Sequence, residues 1–327
     1  MAFDPVTLAV IVGGAYGVYK MTRKLFGEGN KEKKLKEDLD QARQDCEAEQ
    51  SKNQRPKPVN ESSKRGSYYF IGPPQSGKTV FFVTMVDSMQ RMHIENIDKA
   101  PYVATYTTIE SKRFVSDCIK AMQKSEWPIK TKVGNTYEMD IESRKIIAMR
   151  EARFVFHDYA GEVFMRAFAD PAQQEENDSY AGEAKKMRQE MKNAKGVFLV
   201  LDSAVLHNGL PKEIQERLFY LADYMKDANA PIKLAVVFSK KDMFATNPLE
   251  PEKKFKDTDP DAFLKFQKLD TKYFFVTSIK DPVKKDGKYC PPKNYNTSQT
   301  EGIIDAALWM LDIKDKSFFQ ELKEKIT

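Results

Sequence analysis

Cysteine and histidine are both scarce in this chain of 327 residues. The three cysteines, Cys46, Cys118 and Cys290, show no CxxC or CxH spacing, which argues against a disulfide framework or a zinc site built on cysteine. The three histidines do not lie at ligand spacing from one another, so the pattern also argues against histidine-based metal chemistry. Sparse cysteine is ordinary for a protein of a reducing compartment.

A strong excess of one charge is also missing. The chain has 53 Lys and Arg against 48 Asp and Glu, a formal net charge of +5. No basic segment with interleaved aromatic residues stands out along the sequence, and we therefore expect no nucleic-acid partner. The 41% hydrophobic content is enough to bury a sizeable core, and it suits one large domain with appendages.

Only one long uncharged apolar run stands out, at the N-terminal end. Residues 6–19 carry no charge and lead directly into Lys20, Arg23 and Lys24. A bilayer core needs about 20 apolar residues, a length reached here only if Asp4 and Lys20 lie at the two interfaces. We predict that residues 1–24 form a single-pass membrane anchor, with the following basic residues and the rest of the chain on the cytoplasmic side.

Two other interpretations of this run stay open. It is also compatible with a helix that lies on the membrane surface or binds a partner. A secretory signal peptide is the second rival, although no basic residue precedes the run and no A-x-A cleavage pattern follows it cleanly.

Residues 25–66 are predicted to form a charged helical stalk and a linker. Leu35, Leu39, Ala42 and Cys46 recur at alternating spacings of four and three, as in the seam of a short coiled coil that could join two copies. Two heptads are too few to be stable alone, so we favour a solvated helix. The Ser-, Asn-, Lys- and Pro-rich residues 51–64 are typical of a linker.

From residue 67 onward, short apolar runs alternate with amphipathic stretches. The runs SYYFIG, ARFVFHDY, KGVFLVLD, IKLAVVFS and KYFFVTS are rich in Val, Phe and Ile, which is typical of strands buried on both faces. The stretches between them, and a final stretch over residues 303–325, are helical in pattern. We therefore predict that residues 67–327 form one α/β domain with a doubly wound, mostly parallel sheet.

The first chemical motif is GPPQSGKT at residues 72–79, a complete G-x-x-x-x-G-K-[ST]. It follows a predicted strand and opens a predicted helix, which is the setting in which such a loop binds phosphates. Glycines let backbone N–H groups face the phosphates, Lys78 supplies a point charge, and Thr79 offers a hydroxyl to Mg²⁺.

A second motif follows the strand at residues 153–156. In HDYAGE, Asp158 can hold Mg²⁺, usually through water, and the N–H of Gly161 can reach a γ-phosphate. The alternative is a polar turn with no chemical role.

Two further motifs favour guanine over adenine. In SKKD, which follows the strand at 232–238, Asp242 can accept two hydrogen bonds from guanine N1–H and N2–H₂, which adenine does not offer. The stem of Lys240 would cover the purine ring. TSIK at 277–280 is suited to contact guanine O6 through backbone N–H groups, although it is the weakest of the four signals.

Together, GPPQSGKT, DYAGE, SKKD and TSIK resemble the G1, G3, G4 and G5 boxes of the Ras-like and translation-factor class of P-loop GTPases. A short N-terminal anchor before such a domain resembles the β subunit of the signal-recognition-particle receptor and is similar to poorly characterised prokaryotic membrane-anchored GTPases. The resemblance implies that GTP or GDP and Mg²⁺ bind here. It also implies a switch I threonine, for which we choose Thr131, with Thr107 and Thr108 as rivals.

The residues expected to bind nucleotide are Gly72, Gln75, Ser76, Gly77, Lys78, Thr79, Val80, Gly161, Ser239, Lys240, Asp242, Ser278 and Ile279. The expected metal ligands are Thr79, Thr131 and Asp158, and the expected catalytic residues are Glu162, Lys78 and Thr131.

Two positions depart from the family pattern. Glu162 stands where Ras-like enzymes carry a water-orienting Gln, and a carboxylate beside the γ-phosphate is repelled by it, so we predict slow intrinsic hydrolysis. Pro74 stands where Ras-like loops usually have Gly, which argues against a standard arginine-finger approach.

Three functions are compatible with these motifs. The favoured one is a membrane-tethered GTP switch that controls a protein effector or membrane complex through residues 99–140 and 162–192, with residues 170–191 as the natural mobile region. The others are a scaffold that stays GTP-bound without meaningful turnover, and a P-loop ATPase or kinase.

Overall fold

The computed structural model describes residues 66–95, 100–128, 135–143, 151–157, 161–170, 179–204, 209–227, 232–241, 251–285, 287–297 and 300–313. All of them fall in one compact unit, Ser63–Thr327. The predicted anchor, stalk and linker therefore lie outside the described residues, except for Gly66, which begins the first strand. Within the described ranges, no helix combines the length and the apolar character that crossing a bilayer requires.

Nine strands form in the described part of the chain. They are β1 (Gly66–Ile71), β2 (Tyr102–Tyr106), β3 (Thr136–Ser143), β4 (Glu151–His157), β5 (Ala194–Asp202), β6 (Lys233–Ser239), β7 (Asp270–Phe275), β8 (Val283–Lys285) and β9 (Lys288–Cys290).

The helices of the described ranges alternate with these strands. They are α1 (Lys78–Glu95), α2 (Ile109–Gln123), α3 (Gly161–Ala167), α4 (Ala181–Met191), α5 (Lys212–Lys226), α6 (Pro251–Thr258), α7 (Pro260–Phe266) and α8 (Ile303–Met310).

Seven strands form one sheet in the order β2-β3-β4-β1-β5-β6-β7. Strand β3 is antiparallel to both of its neighbours, whereas β4, β1, β5, β6 and β7 pair in parallel. This is the predicted mostly parallel α/β sheet of a P-loop domain. Because β1 lies between the two halves of the strand order, the loop that follows β1 sits where α/β sheets bind ligands.

Helices cover both faces of the sheet. One buried cluster joins α1, α2 and α8 to the sheet through side chains such as Phe82, Phe114, Phe156 and Met310. The other joins the opposite face to α3, α4, α5, α6 and α7. Strands buried on both faces explain why residues 197–201 are all apolar and completely buried.

Helix α2 follows β2 and ends shortly before Trp127. Thr108 caps its start, accepting a hydrogen bond from Ser111 N at 3.0 Å. At its end, Ser125 has a left-handed φ of +64°, and Glu126 N donates to Ala121 O at 3.0 Å. This is a Schellman ending.

The predicted C-terminal helix over residues 303–325 is wrong in its extent, because α8 ends at Met310. Asp312 takes a left-handed φ of +56°, Asp312 N donates to Trp309 O at 3.2 Å, and Ile313 N donates to Leu308 O at 3.0 Å. These bonds close the helix in the Schellman pattern. The pattern usually carries glycine at the position of Asp312, which is why the sequence gives no clear stop.

The segment predicted to be mobile, residues 170–191, includes a packed helix. Helix α4 occupies its second half, and Ala184, Met187 and Met191 are buried in the core beneath it. Three residues at helical spacing thus give this half an apolar face, and the movement of the segment stays a prediction.

Candidate functional site

The loop at residues 72–77 turns sharply between the end of β1 and the start of α1. Gly72 has φ +150°, and a Cβ at this position would lie 2.2 Å from Val200 O. The neighbouring strand β5 therefore leaves room for glycine alone at the start of the loop.

The rest of the loop curls through two left-handed residues, Gln75 at φ +59° and Gly77 at φ +83°. Such a curl is how a phosphate-binding loop turns successive backbone N–H groups toward one point. Since Pro73 and Pro74 carry no N–H, the next backbone donor of this loop after Gly72 is Gln75.

The side chain of Lys78 extends across the open side of the loop. Lys78 begins α1, and its Nζ donates to Pro73 O at 2.8 Å. The ammonium group therefore spans the concave side of the loop, where phosphate oxygens would lie. Thr79 follows it in the first turn of the helix, where a hydroxyl can face the same place.

Ser76 is 1% exposed, and its Oγ has no hydrogen-bond partner in the described part of the protein. A buried hydroxyl without a partner is costly, so the loop offers a polar group that a bound ligand could satisfy. Together with the curl and the position of Lys78, this fits the residues to a nucleotide phosphate chain.

The end of β6 is hydrogen-bonded to the phosphate loop. Ser239 is buried, and its Oγ donates to Ser76 O at 2.7 Å and lies 3.2 Å from Leu201 O. A hypothetical Cβ on Gly77 would also approach Ser239 Oγ to 3.3 Å. The loop predicted to read the base and the loop predicted to bind phosphate therefore share one buried serine.

Lys240 extends this connection. With φ +60°, it directs its Nζ to Gln75 O at 3.1 Å and to the carboxylate of Asp202. Asp202 ends β5, and its other oxygen accepts from Ala204 N at 2.9 Å. The stem of Lys240 thus lies along the side of the phosphate loop, held by a carboxylate from the neighbouring strand.

The loop at residues 277–280 is fixed next to these two. Lys241 N donates to Val276 O at 3.1 Å. Ser278 O accepts from the buried hydroxyl of Tyr295 at 2.6 Å, and burial raises the pKa of Tyr295, so the hydroxyl remains a donor. The Oγ of Ser278 is buried without a partner among the described residues.

Glu301 forms the outer rim of this loop. Its backbone pairs with Thr277 in both directions, at 3.0 and 2.9 Å. Its carboxylate lies 3.1 Å from Lys241 Nζ and 3.9 Å from Lys280 Nζ. The carboxylate therefore links the two lysines that flank the predicted base pocket.

Gly161 packs directly on the phosphate loop. A Cβ at Gly161 would lie 2.1 Å from Pro74 N and 2.6 Å from Pro73 C, so only glycine permits this approach. Glu162 follows at the start of α3 and is exposed. The structure thus brings the second motif against the first.

Other predicted residues are not placed. Thr131, Asp158 and Asp242 lie outside the described residues, so their roles stay predictions. The rivals Thr107 and Thr108 have structural partners: Thr107 Oγ1 donates to Glu138 O at 3.2 Å, and Thr108 caps α2. Within the described ranges, no group of three or more His, Cys, Asp or Glu residues could hold a metal.

Sequence reasoning missed Asp202, Tyr295 and Glu301. Asp202 ends the run KGVFLVLD, and a charged residue directly after an apolar strand was the available signal. Tyr295 and Glu301 belong to no motif, and only the fold brings them to the loop at residues 277–280.

A protein-family model described as Double-GTPase 2 matches residues 70–285, about two thirds of the chain. The chain is also similar to a solved structure, Methanosarcina barkeri Roco2 RocCORdC bound to GDP, with 14% identity and a TM-score of 0.31. That match covers 80% of this chain and 49% of the other, so it spans about half the length of that structure. No curated protein matches.

Proposed function

Since the chain belongs to the double-GTPase 2 family, we propose that it is a GTP-binding switch that hydrolyses GTP slowly and is tethered to a membrane. In this proposal, the domain faces the cytoplasm and controls a protein effector or membrane complex. The apolar residues 6–19 and the basic residues after them support the tether.

One observation carries the nucleotide-binding part of the proposal. Three loops at the carboxyl ends of β1, β6 and β7 form one hydrogen-bonded group, through Ser239 Oγ to Ser76 O and Lys241 N to Val276 O. A ligand with phosphates at one end and a planar base at the other would contact all three loops. In a parallel sheet this edge is the usual place for a nucleotide.

Each side chain then has a distinct task. Lys78 holds β- and γ-phosphate charge, and Lys240 covers one face of the purine. Asp242 follows Lys241 and is proposed to accept hydrogen bonds from guanine. Thr79 would hold Mg²⁺ through its hydroxyl, and the ion would supply positive charge that stabilises phosphate oxygens.

Slow hydrolysis is proposed from the position of Glu162. Because Gly161 touches Pro73 and Pro74, the next residue lies at the γ-phosphate end of the loop. Its side chain is exposed, so water rather than protein surrounds the carboxylate. A carboxylate at this position repels phosphate charge and is a poorer water-orienting group than an amide.

Base selectivity is tested on the full-length protein in detergent by comparing GTP, GDP and ATP binding with and without Mg²⁺. We expect a preference for guanine nucleotides. Asp242→Asn should lose that preference and gain affinity for xanthosine nucleotides, because the amide can donate to the xanthine O2. A preference for ATP that is unchanged in Asp242→Asn would support the ATPase alternative.

Turnover is tested by single-turnover phosphate release. We expect a slow but measurable rate that Glu162→Gln increases, because the amide orients water without added charge. A variant at the exposed Glu213, which lies in the first turn of α5 as Glu162 does in α3, serves as the matched control: Glu213→Gln. No release from either protein while GTP stays bound would support the scaffold alternative.

The tether is tested by extracting membranes with alkaline carbonate. The full-length chain should stay in the membrane fraction, and deletion of residues 1–24 should release it. Cross-linking before and after deletion of residues 25–50 would show whether the proposed stalk joins two copies.

A further inference from the structure

After the loop at residues 277–280, the chain passes over helix α1. Thr297 Oγ1 donates to Asp87 Oδ2 at 2.5 Å, and Arg91 NH1 donates to Asn296 Oδ1 at 2.6 Å. Further back, Asn294 N donates to Gln123 O at 3.3 Å, at the end of α2. Residues 294–297 are therefore fixed to two helices of the domain.

Between the loop at residues 277–280 and the residues that contact α1, β8 and β9 form a small hairpin. Gly287, in the turn between the two strands, has φ +77°, a left-handed value that tight hairpin turns use. The strands are three residues each, and every described residue from 283 to 289 is exposed. A hairpin exposed on both faces projects from a domain and does not form part of its core.

Trp127 lies against the base of this hairpin. Its Nε1–H donates to Tyr289 O at 2.7 Å, although the two residues are 162 positions apart. Trp127 is 44% exposed and Tyr289 is 49% exposed. Because the indole N–H already has a partner in the protein, the ring can leave water without losing a hydrogen bond.

The positive charge of residues 280–293 comes from lysine alone. Residues 280–293 contain five lysines, no arginine and two aspartates. Lysine is a compact point charge without the planar fork by which arginine recognises one carboxylate or phosphate. Five lysines without arginine are therefore better suited to bind a surface with diffuse negative charge than to pair with a few fixed acidic side chains.

We propose that this hairpin surface docks on an anionic lipid bilayer. The hairpin surface is made of Trp127, Val283, Lys284, Lys285, Lys288 and Tyr289, all of them exposed. Basic residues attract the negative leaflet, and Trp and Tyr have the apolar body and polar tip that favour the headgroup region. The sequence alone hides this patch, because the fold brings Trp127 to the hairpin.

The shape also favours a membrane over an acidic protein. A projecting two-stranded hairpin with aromatic and lysine side chains on its outside can enter a soft interface, whereas a protein partner would have to supply a matching groove. The proposal does not depend on nucleotide binding or on the N-terminal anchor.

The test uses the emission of Trp127 in the full chain reconstituted into vesicles. Subtracting the spectrum of Trp127→Phe from that of the natural chain isolates Trp127, because Trp309 is common to both. We expect a blue shift of the difference spectrum in mixed phosphatidylserine and phosphatidylcholine vesicles. Vesicles of phosphatidylcholine alone, or high salt, should abolish it.

A charge variant separates this surface from the anchor. The triple variant Lys284→Gln, Lys285→Gln, Lys288→Gln should lose the shift, because each lysine contributes about fivefold to partitioning on anionic lipid. The control removes three exposed lysines on the opposite face of the sheet, from α5, from α6 and from the turn after α7, by Lys226→Gln, Lys253→Gln and Lys268→Gln, and should keep the shift.

Absence of the shift on anionic vesicles would overturn the proposal. That result is expected if the hairpin surface binds an acidic protein and not a bilayer. A shift that survives the hairpin variant, or that is equal on both vesicle types, would overturn it as well. Circular dichroism of each variant should match that of the natural chain, since the substituted lysines are exposed.

Discussion

Ser239 Oγ donates a hydrogen bond to Ser76 O at 2.7 Å and so joins the end of strand β6 to the phosphate-binding loop. Both residues are buried, and Ser239 Oγ also lies 3.2 Å from Leu201 O. Nucleotide affinity should therefore depend on a residue that lies beneath the proposed pocket and supports the loop that holds the phosphates.

Replacing Ser239 with Ala should speed the release of GDP. The variant leaves Ser76 O without its buried donor, which costs about 1–2 kcal/mol, or about fivefold to thirtyfold in a rate or binding constant. Dissociation of a fluorescent GDP analogue, chased with unlabelled GDP, measures the change.

Ser88 provides the matched control. It is also a buried serine whose Oγ donates to a backbone carbonyl, that of Thr297 at 3.3 Å, but it lies on α1 away from the loop. Ser88→Ala should lower the free energy of unfolding and leave the GDP release rate unchanged. Equal release rates from both variants would contradict a specific role for Ser239.

The ion pair between Asp202 and Lys240 should act on the same rate more weakly. Asp202→Asn keeps the acceptor for Ala204 N but removes the charge that holds Lys240 beside Gln75 O. Because both side chains are partly exposed, we expect only about a twofold to fivefold faster GDP release, and less at high salt.

Asp223→Asn is the control for this variant. Asp223 pairs with Lys265 at 2.5 Å between α5 and α7, away from the nucleotide edge of the sheet. The variant Asp223→Asn should leave the rate of GDP release unchanged. A GDP release rate for Asp202→Asn equal to that of the natural chain would show that the ion pair with Asp202 is not needed to position Lys240.

Much of this site follows from the sequence, because its residues occupy short motifs directly after apolar strands. The turn at Gly72 and the positions of Lys78 and Ser239 are fixed by neighbouring residues and by the parallel sheet. Asp202 was hidden because no motif marks it, and its partner is 38 residues away.

The parts that the sequence did not predict depend on distant contacts or unusual end residues. Strand β2 lies at the edge of the sheet and is five residues long, too short for its pattern to stand out. The ends of α2 and α8 use Ser125 and Asp312 in left-handed conformations in which glycine is the usual signal.

Replacing Gly161 with Ala should weaken GTP binding more than GDP binding. Its Cβ would lie 2.1 Å from Pro74 N, so either the loop or the start of α3 must move, at the end where a γ-phosphate would lie. We expect a loss of at least about tenfold in GTP affinity, measured by calorimetry in the presence of Mg²⁺.

Gly182→Ala is a suitable control because nothing lies within 4 Å of a Cβ at that position. It lies in the first turn of helix α4, where Ala replaces Gly with a gain of up to about 1 kcal/mol in stability. Its nucleotide affinities should match those of the natural chain. If Gly161→Ala behaves in the same way, the contact with Pro74 is unimportant for GTP.

The stability of the domain should depend on pH through Asp259, the residue that caps helix α7. Its Oδ1 accepts from Ala262 N at 3.1 Å, while its buried Oδ2 has no hydrogen-bond partner in the described part of the chain. Burial raises the pKa of this carboxyl above its ordinary value. A raised pKa in the folded state means that its stabilising contribution is complete below the unfolded pKa and is lost as pH rises through the folded pKa.

Asp259→Asn should therefore gain stability relative to the natural chain as pH rises from about 4 to 7, because Asn also caps helices and carries no charge to desolvate. Thermal unfolding at several pH values measures the difference. Asp261→Asn, at an exposed position in the first turn of the same helix, should show no such gain, since it removes a charge that favours the helix N-terminus. If Asp259→Asn instead loses stability relative to the natural chain as pH rises, the ionised carboxylate stabilises the cap more than its burial costs.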